Sequence, residues 1–419
     1  MENNSSYRDV LTIAPFRFLW FGQICSQLAV NTLLFVLALR LYQTTGSNTA
    51  VSGLFLAYGI PALLFGMIAG TAVDHLDRRR VLIYCDLTRA ALVFLLLFFS
   101  DNIVLVYIVM FVNAVITQFY VPAEAPTIPK LVPPEQIVPA NSLFAFTFYS
   151  SLAIGSVAAG PLYKLFGHQW IFPVLSVLFG LAAWFESHLP YMSAGALGFR
   201  TVLSFDMSHI ISRVYQKLID GIMYVRKSPV LFDSLLLLTG TQIIMVMLGT
   251  LGPGFADRIL HIDIRDASLF IVGPAVLGIL VGVVWVGNFG SKFHPKRLIN
   301  IGVTGAGVSL LLVMGARYVP SLFRLPVTML LFFLLGFANS LLDVPANSLL
   351  QEEAKGSMRG RVYGMLTSTI GGAGLLPVIL GGILADFAGV GMVIFGLGCI
   401  ILLYGIYRMK YNINKSVKF

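Results

Sequence analysis

Gly70-Thr-Ala-Val-Asp74-His75-Leu-Asp77-Arg78-Arg79-Arg80 stands between two long apolar runs. Its last seven positions hold two carboxylates, a histidine and three consecutive arginines. Only 11% of the chain is charged, so this concentration raises a choice between three jobs. The stretch can anchor a loop at a membrane surface, bind an acidic ligand, or work a gate.

The surroundings narrow the choice. Of 419 residues, 57% are hydrophobic, and the mean hydropathy is +0.86. Soluble domains lie near roughly 45–50% apolar and about 25% charged, so the chain reads as a bilayer protein. The net charge is +9. In a soluble protein that would suggest nucleic acid, but here the basic residues fall between apolar runs and orient the chain at an anionic membrane face. No nucleic-acid partner is expected. Cys25, Cys85 and Cys399 lie in or beside apolar segments without a CxxC, so they read as small core residues. No cofactor or metal is expected. The N-terminus lacks a basic n-region and a small-residue cleavage site, so the first apolar run is expected to stay as a span.

Runs of about 20 mostly apolar residues occur at 16–39, 50–73, 81–100, 102–121, 141–163 and 169–189. A second set follows at 230–251, 267–289, 298–315, 326–344, 362–385 and 389–408. None alternates strictly, which argues against a β-barrel. With the N-terminus inside, 20 of the loop and tail Lys and Arg residues fall on the cytoplasmic side. Only Arg40, Lys164, Arg258, Arg265, Arg317 and Arg324 face the other way. Both termini are therefore expected in the cytoplasm.

The two sets of six echo each other. Val121-Pro122-Ala123, in the loop expected after the fourth span, answers Val344-Pro345-Ala346, 223 residues on. Gly160-Pro161 through Gly167 answers Gly382 through Gly389 at 222, Arg79-Arg80 answers Lys296-Arg297 at 217, and Pro15 answers Pro229 at 214. Such a parallel repeat encloses a central site between two halves. The expected organisation is a six-helix bundle at 1–189, a cytoplasmic linker at 190–228 and a second bundle at 229–419. Ile210, Val214, Leu218 and Ile222 give the linker an amphipathic helical stripe. The fold class is an all-α polytopic membrane protein of 12 transmembrane helices in two pseudo-repeats.

The charged stretch, the duplicated plan and the Val-Pro-Ala segments together resemble the major facilitator superfamily, and within it the macrolide-efflux and enterobactin-exporter-like branch. Asp220-Gly-Ile-Met-Tyr224-Val-Arg226-Lys-Ser-Pro229 and Gln351-Glu-Glu followed by Arg359-Gly360-Arg361-Val362 look like that branch. The superfamily's loop signature is matched at Gly70, Asp74, Arg78 and Arg79, while His75 and Asp77 depart from it. Drug/proton antiporters carry an arginine in the fourth span where this chain has Asn113. The fifth-span glycine series is half present as Gly155, Gly160 and Pro161.

The resemblance implies that Gly70, Asp74, Arg78 and Arg79 form a gate, with Asp74 facing the N-terminus of a neighbouring helix; a purely topological anchor remains open. Asp86 and Arg89, three apart in the third span, can pair on one face, as a staple or in proton coupling. Asp343 is the carboxylate of the expected lining spans well clear of loops, and so is another proton-coupling candidate. Gln23, Gln27 and Asn31 follow i, i+4, i+8. With Asn113, Thr117, Gln118, Gln242 and Asn339 they can line a pathway for a large, mostly apolar cargo, or bond between helices. Gly66xxxGly70, Gly278xxxGly282 and Gly371-Gly-Ala-Gly374 read as close-packing surfaces.

No Gly-Lys dipeptide occurs, so self-contained ATP drive is excluded, and no HExxH or nucleophile–base pair supports an enzyme. The expected protein is a monomeric, multi-pass transporter of the bacterial inner membrane with a small-molecule substrate and the lipid bilayer as partners. Its expected activity is export of an amphipathic drug-like or siderophore-like compound with protons as coupling ion. Uptake or facilitated transport of a small metabolite is the alternative.

Overall fold

Apolar runs of this length can satisfy their backbone inside a bilayer only as helices or closed barrels, and here they are helices. The computed structural model describes residues 7–73, 75–192, 225–226, 228–354, 362, 366 and 374–416. Among these, every regular element is helical. In the first half they are α1 (Tyr7–Thr12), α2 (Ala14–Thr45), α3 (Asn48–Val73), α4 (Arg78–Phe99), α5 (Ile103–Glu124), α6 (Ile128–Leu131) and α7 (Ile137–Glu186). The second half holds α8 (Pro229–Phe255), α9 (Gly273–Phe289), α10 (Pro295–Gly315), α11 (Ser321–Glu353), α12 (Leu375–Ala388) and α13 (Val390–Ser416). Ten described helices are long and apolar enough to cross a membrane, and α12 is a shorter apolar one. The linker stripe at 210–222, Asp74 and Gly371–Ala373 lie outside the described residues.

The internal repeat extends to backbone detail. Asp77 caps α4 by accepting the Arg79 N–H at 3.1 Å. Its counterpart 217 residues on, His294, accepts the Lys296 N–H at 3.4 Å and caps α10. Gly167 breaks α7 with φ 75°, and Gly389 separates α12 from α13 with φ 91°. Left-handed backbone is cheap only for glycine, so both halves turn on the same residue type. The break expected at 164–168 thus falls at Gly167, where two helical stretches of α7 meet across a kink.

A second expectation needs correcting. Val121-Pro122-Ala123 is not a loop; Pro122 lies inside α5, as its counterpart Pro345 lies inside α11. Proline removes one ladder hydrogen bond, which a membrane helix tolerates where neighbouring helices re-satisfy the freed carbonyl.

The chain divides into two compact units, Met1–Thr44 with Leu54–Asp206, and Thr45–Gly53 with Met207–Phe419. In the first, α4 packs on α5 and α7, and Phe16, Leu19, Leu82, Tyr120 and Phe144 belong to one apolar core. In the second, α9 and α10 flank α11, and α10 also packs on α13. The α9–α11 contact is made by glycine. A Cβ at Gly278 would collide with the Phe333 carbonyl, and one at Gly336 with the Ala275 carbonyl. The Gly278xxxGly282 surface is therefore a close-packing face. Around Gly70 no described atom lies within 4 Å of a Cβ position. Outward residues such as Phe98, Leu165 and Leu403 are large, apolar and exposed, as lipid-facing positions are.

Candidate functional site

The third span carries its charges on one helical face, and that face is turned inward. Asp86 and Arg89 on α4 form a fully buried ion pair at 2.8 Å. Ser26 of α2 donates to Asp86 at 2.9 Å, and Arg89 reaches Ser26 at 3.0 Å and Thr117 of α5 at 2.9 Å. The guanidinium also lies 4.8 Å from the centre of the Tyr120 ring, a cation–π distance. Tyr120 in turn donates to Glu186, at the end of α7, at 2.9 Å. Glu124, at the end of α5, lies four residues on from Tyr120 and so on the same helical face. Three helices thus bring three carboxyl groups, one guanidinium and one phenol into one buried network, and a fourth, α2, adds the Ser26 hydroxyl. Among the described residues, Asp86 Oδ2, Glu124 Oε1 and Glu186 Oε2 have no hydrogen-bond partner.

The polar stripe on α2 is divided. Gln23 is buried and donates to the Phe144 carbonyl at 3.4 Å, and Asn31 donates to the Gln27 carbonyl of its own helix at 2.9 Å. Close behind it, a Cβ at Gly155 would meet the Asn31 Cβ at 2.9 Å. On α5, Asn113 is wholly buried, with neither side-chain polar atom bonded among the described residues, and Gln118 donates to the Ala114 carbonyl at 3.2 Å. In the second unit, Asn339 and Thr241 line an otherwise apolar cleft of about 50 Å³ with Met245, Leu248 and Leu342. Gln242 is exposed and is not one of the residues that line it. Asp343 is partly buried, and its Oδ1 has no hydrogen-bond partner among the described residues.

A profile of the Major Facilitator Superfamily matches residues 19–259 and 235–413. The chain belongs to that superfamily. Macrolide efflux protein A of Streptococcus pyogenes is 27% identical over 390 residues, 90% of each chain. Multidrug efflux pump Tap of Mycolicibacterium fortuitum is 28% identical over 377 residues, 87% of each. Among solved structures, the POT family transporter PepTSo superposes with a TM-score of 0.70 at 14% identity, covering 97% of this chain and 99% of that one. A bacterial homologue of the iron transporter ferroportin, in an inward-facing state, gives 0.70 at 15% identity over 95% and 99%. These two likenesses speak for the fold. This superfamily member is a multi-pass transporter of the bacterial inner membrane that handles a small molecule.

The superfamily's loop signature is only partly on view, since Asp74 is outside the described residues. Arg78 donates to the Pro126 carbonyl at 3.4 Å, and Arg79 bonds the Ser187 carbonyl. These are carbonyls just past the C-terminal ends of α5 and α7, where cations are favoured. Where antiporters of the superfamily place an arginine, this member has Asn113. One turn on along the same helix, Thr117 accepts from the guanidinium of Arg89 on α4 at 2.9 Å.

Two features were not singled out from sequence. Glu186 and Glu124 sit at span ends with no charged partner at helical spacing. Their common partner Tyr120 is 66 residues from Glu186. Asp386 on α12 accepts from Ser47 Oγ at 2.5 Å, Asn48 N–H at 2.8 Å, Asn48 Nδ2 at 3.0 Å, Thr49 N–H at 3.0 Å and Thr49 Oγ1 at 2.7 Å. A carboxylate so placed serves the first turn of α3 as a bound anion does. The available signal was Ser47-Asn48-Thr49, a capping sequence ahead of an apolar run.

Proposed function

We propose that this protein exports amphipathic, drug-like or siderophore-like compounds, macrolides among them, by alternating access driven by proton influx. What carries the reading is similarity to a macrolide efflux protein and a multidrug efflux pump along about nine-tenths of the chain. The two six-span halves, 1–189 and 229–419, are the moving bodies, with 190–228 as their tether. Uncharged Gln27, Asn31, Thr117, Gln118, Gln242 and Asn339 suit a cargo that is mostly apolar with a few polar groups. Gly70, Asp74, Arg78 and Arg79 act as the gate. Asp86–Arg89 and Asp343 are the proton-coupling candidates.

Uptake or facilitated transport of a small metabolite remains a second reading, favoured by one observation: Asn113 stands where antiporters keep an arginine. Everted vesicles carrying the protein decide between them. With radiolabelled erythromycin or ethidium outside, export predicts accumulation that rises with an imposed inside-acid gradient and collapses with an uncoupler. Accumulation indifferent to the gradient rejects proton-driven export.

A further inference from the structure

The carboxyl groups of the first unit outnumber their donors. Asp86 is balanced directly by Arg89 at 2.8 Å and by the Ser26 hydroxyl. Among the described residues, Glu124 and Glu186 have no such cation. Between them stands the single hydroxyl hydrogen of Tyr120, which is given to Glu186 Oε1. One O–H cannot serve two carboxylates. Were all three acids ionised, the cluster would hold a net charge of about −2 beside apolar span residues, an arrangement that membrane interiors penalise. One added proton completes the set: a protonated Glu124 donates to the Tyr120 oxygen, while Tyr120 goes on donating to Glu186.

We propose that Glu124, Tyr120 and Glu186 form a proton-binding site in the first unit, loaded and emptied at Glu124, and that it holds the proton exchanged for cargo. Glu124 is the port because it keeps 7% of its surface exposed, while Glu186 and Asp86 keep none. Other groups facing the site come from each packed element. From α4 they are Asp86, Arg89 and Cys85. From α2 they are Ser26 and the backbone at Gly22, whose Cβ position lies 3.1 Å from Glu186 Cγ. Just past α7, Ser187 receives Arg79, and His188 stacks on Phe18. Arg89 is already committed to Asp86, Ser26 and Thr117, so its charge does not supply the missing donor. The exchange function rests on the transport reading above; the site itself does not.

Infrared spectroscopy of the purified full-length protein tests the site without cargo. A protonated buried carboxyl gives its own C=O stretch, which titrates with pH. The band is expected in the wild type, lost in Glu124→Gln or Glu186→Gln, shifted in Tyr120→Phe, and kept in the control Glu135→Gln. A spectrum without such a band, or one unchanged in all three site variants, overturns the proposal; a bound metal cation in place of a proton would give that result. Size-exclusion behaviour checks each variant, and Tyr120→Phe and Glu186→Gln report if Glu124→Gln fails to fold. In everted vesicles, Glu124→Gln is expected to lose gradient-driven erythromycin accumulation. If wild-type vesicles ignore the gradient while the band is present and removed by Glu124→Gln, proton-driven export fails and the proton site stands.

Discussion

The Asp386 carboxylate accepts the backbone N–H of Thr49 at 3.0 Å, so a side chain on α12 caps the first turn of α3. Five donors converge on it, two of them main-chain amides. Removing a cap costs about 1–2 kcal/mol. Asp386→Ala is expected to lower the thermal midpoint of the purified protein accordingly, and Asp386→Asn, with one acceptor oxygen left, by less. Asp386→Lys is expected to be the worst of the three, because it brings a cation to a helix N-terminus. A midpoint unmoved by Asp386→Ala would remove the clamp from the account of stability.

Arg89 is buried and bonds groups on three helices. Breaking a buried pair from one side strands the other charge, at about 3–5 kcal/mol. Arg89→Ala is expected to cost that much in thermal or denaturant unfolding. The double variant Asp86→Leu with Arg89→Leu is expected to recover part of the loss, because it strands no ion. A double variant as unstable as the sum of the singles would show that the pair's charge is not the source of the penalty.

Close packing at α9–α11 gives a third test. Gly278→Val and Gly336→Val force two backbones apart and are expected to cost at least about 3 kcal/mol, or to abolish assembly. Gly287→Ala, on the same helix with nothing within 4 Å of its Cβ position, is expected to be neutral or slightly stabilising. Yields and melting curves of the three variants in parallel suffice.

Asp343 and the Glu124–Glu186 pair make separable predictions about coupling. If Asp343 takes part, Asp343→Asn reduces gradient-driven accumulation of erythromycin in everted vesicles. Accumulation at the wild-type level would exclude it and leave the first unit as the place where protons act.

The spans were legible because a bilayer demands long uninterrupted apolar helices, and hydropathy reports that directly. Asp86–Arg89 was legible too, since i,i+3 spacing places both on one face before any tertiary contact is known. The helical state of Val121-Pro122-Ala123 was not, because proline is punctuation in soluble chains and a tolerated residue in membrane helices. Glu186 and Glu124 escaped for another reason. Each looks like an ordinary polar end to an apolar run, and only the packing of α4, α5 and α7 shows that the ends are buried together. The Gln23 and Asn31 amides were correctly grouped on one helix, but spacing could not say that they would bond Phe144 and Gln27 carbonyls.

The two left-handed glycines, Gly167 and Gly389, put the halves of the chain in register. Three residues before the first stands Lys164, and three before the second stands Asp386. One backbone address therefore carries opposite charges in the two copies. A second copy of the first half could not stand in for the second, because it would present an ammonium to the α3 N-terminus where an anion is required. The duplication has become directional: at this address only the second copy carries the anion that the first turn of α3 binds.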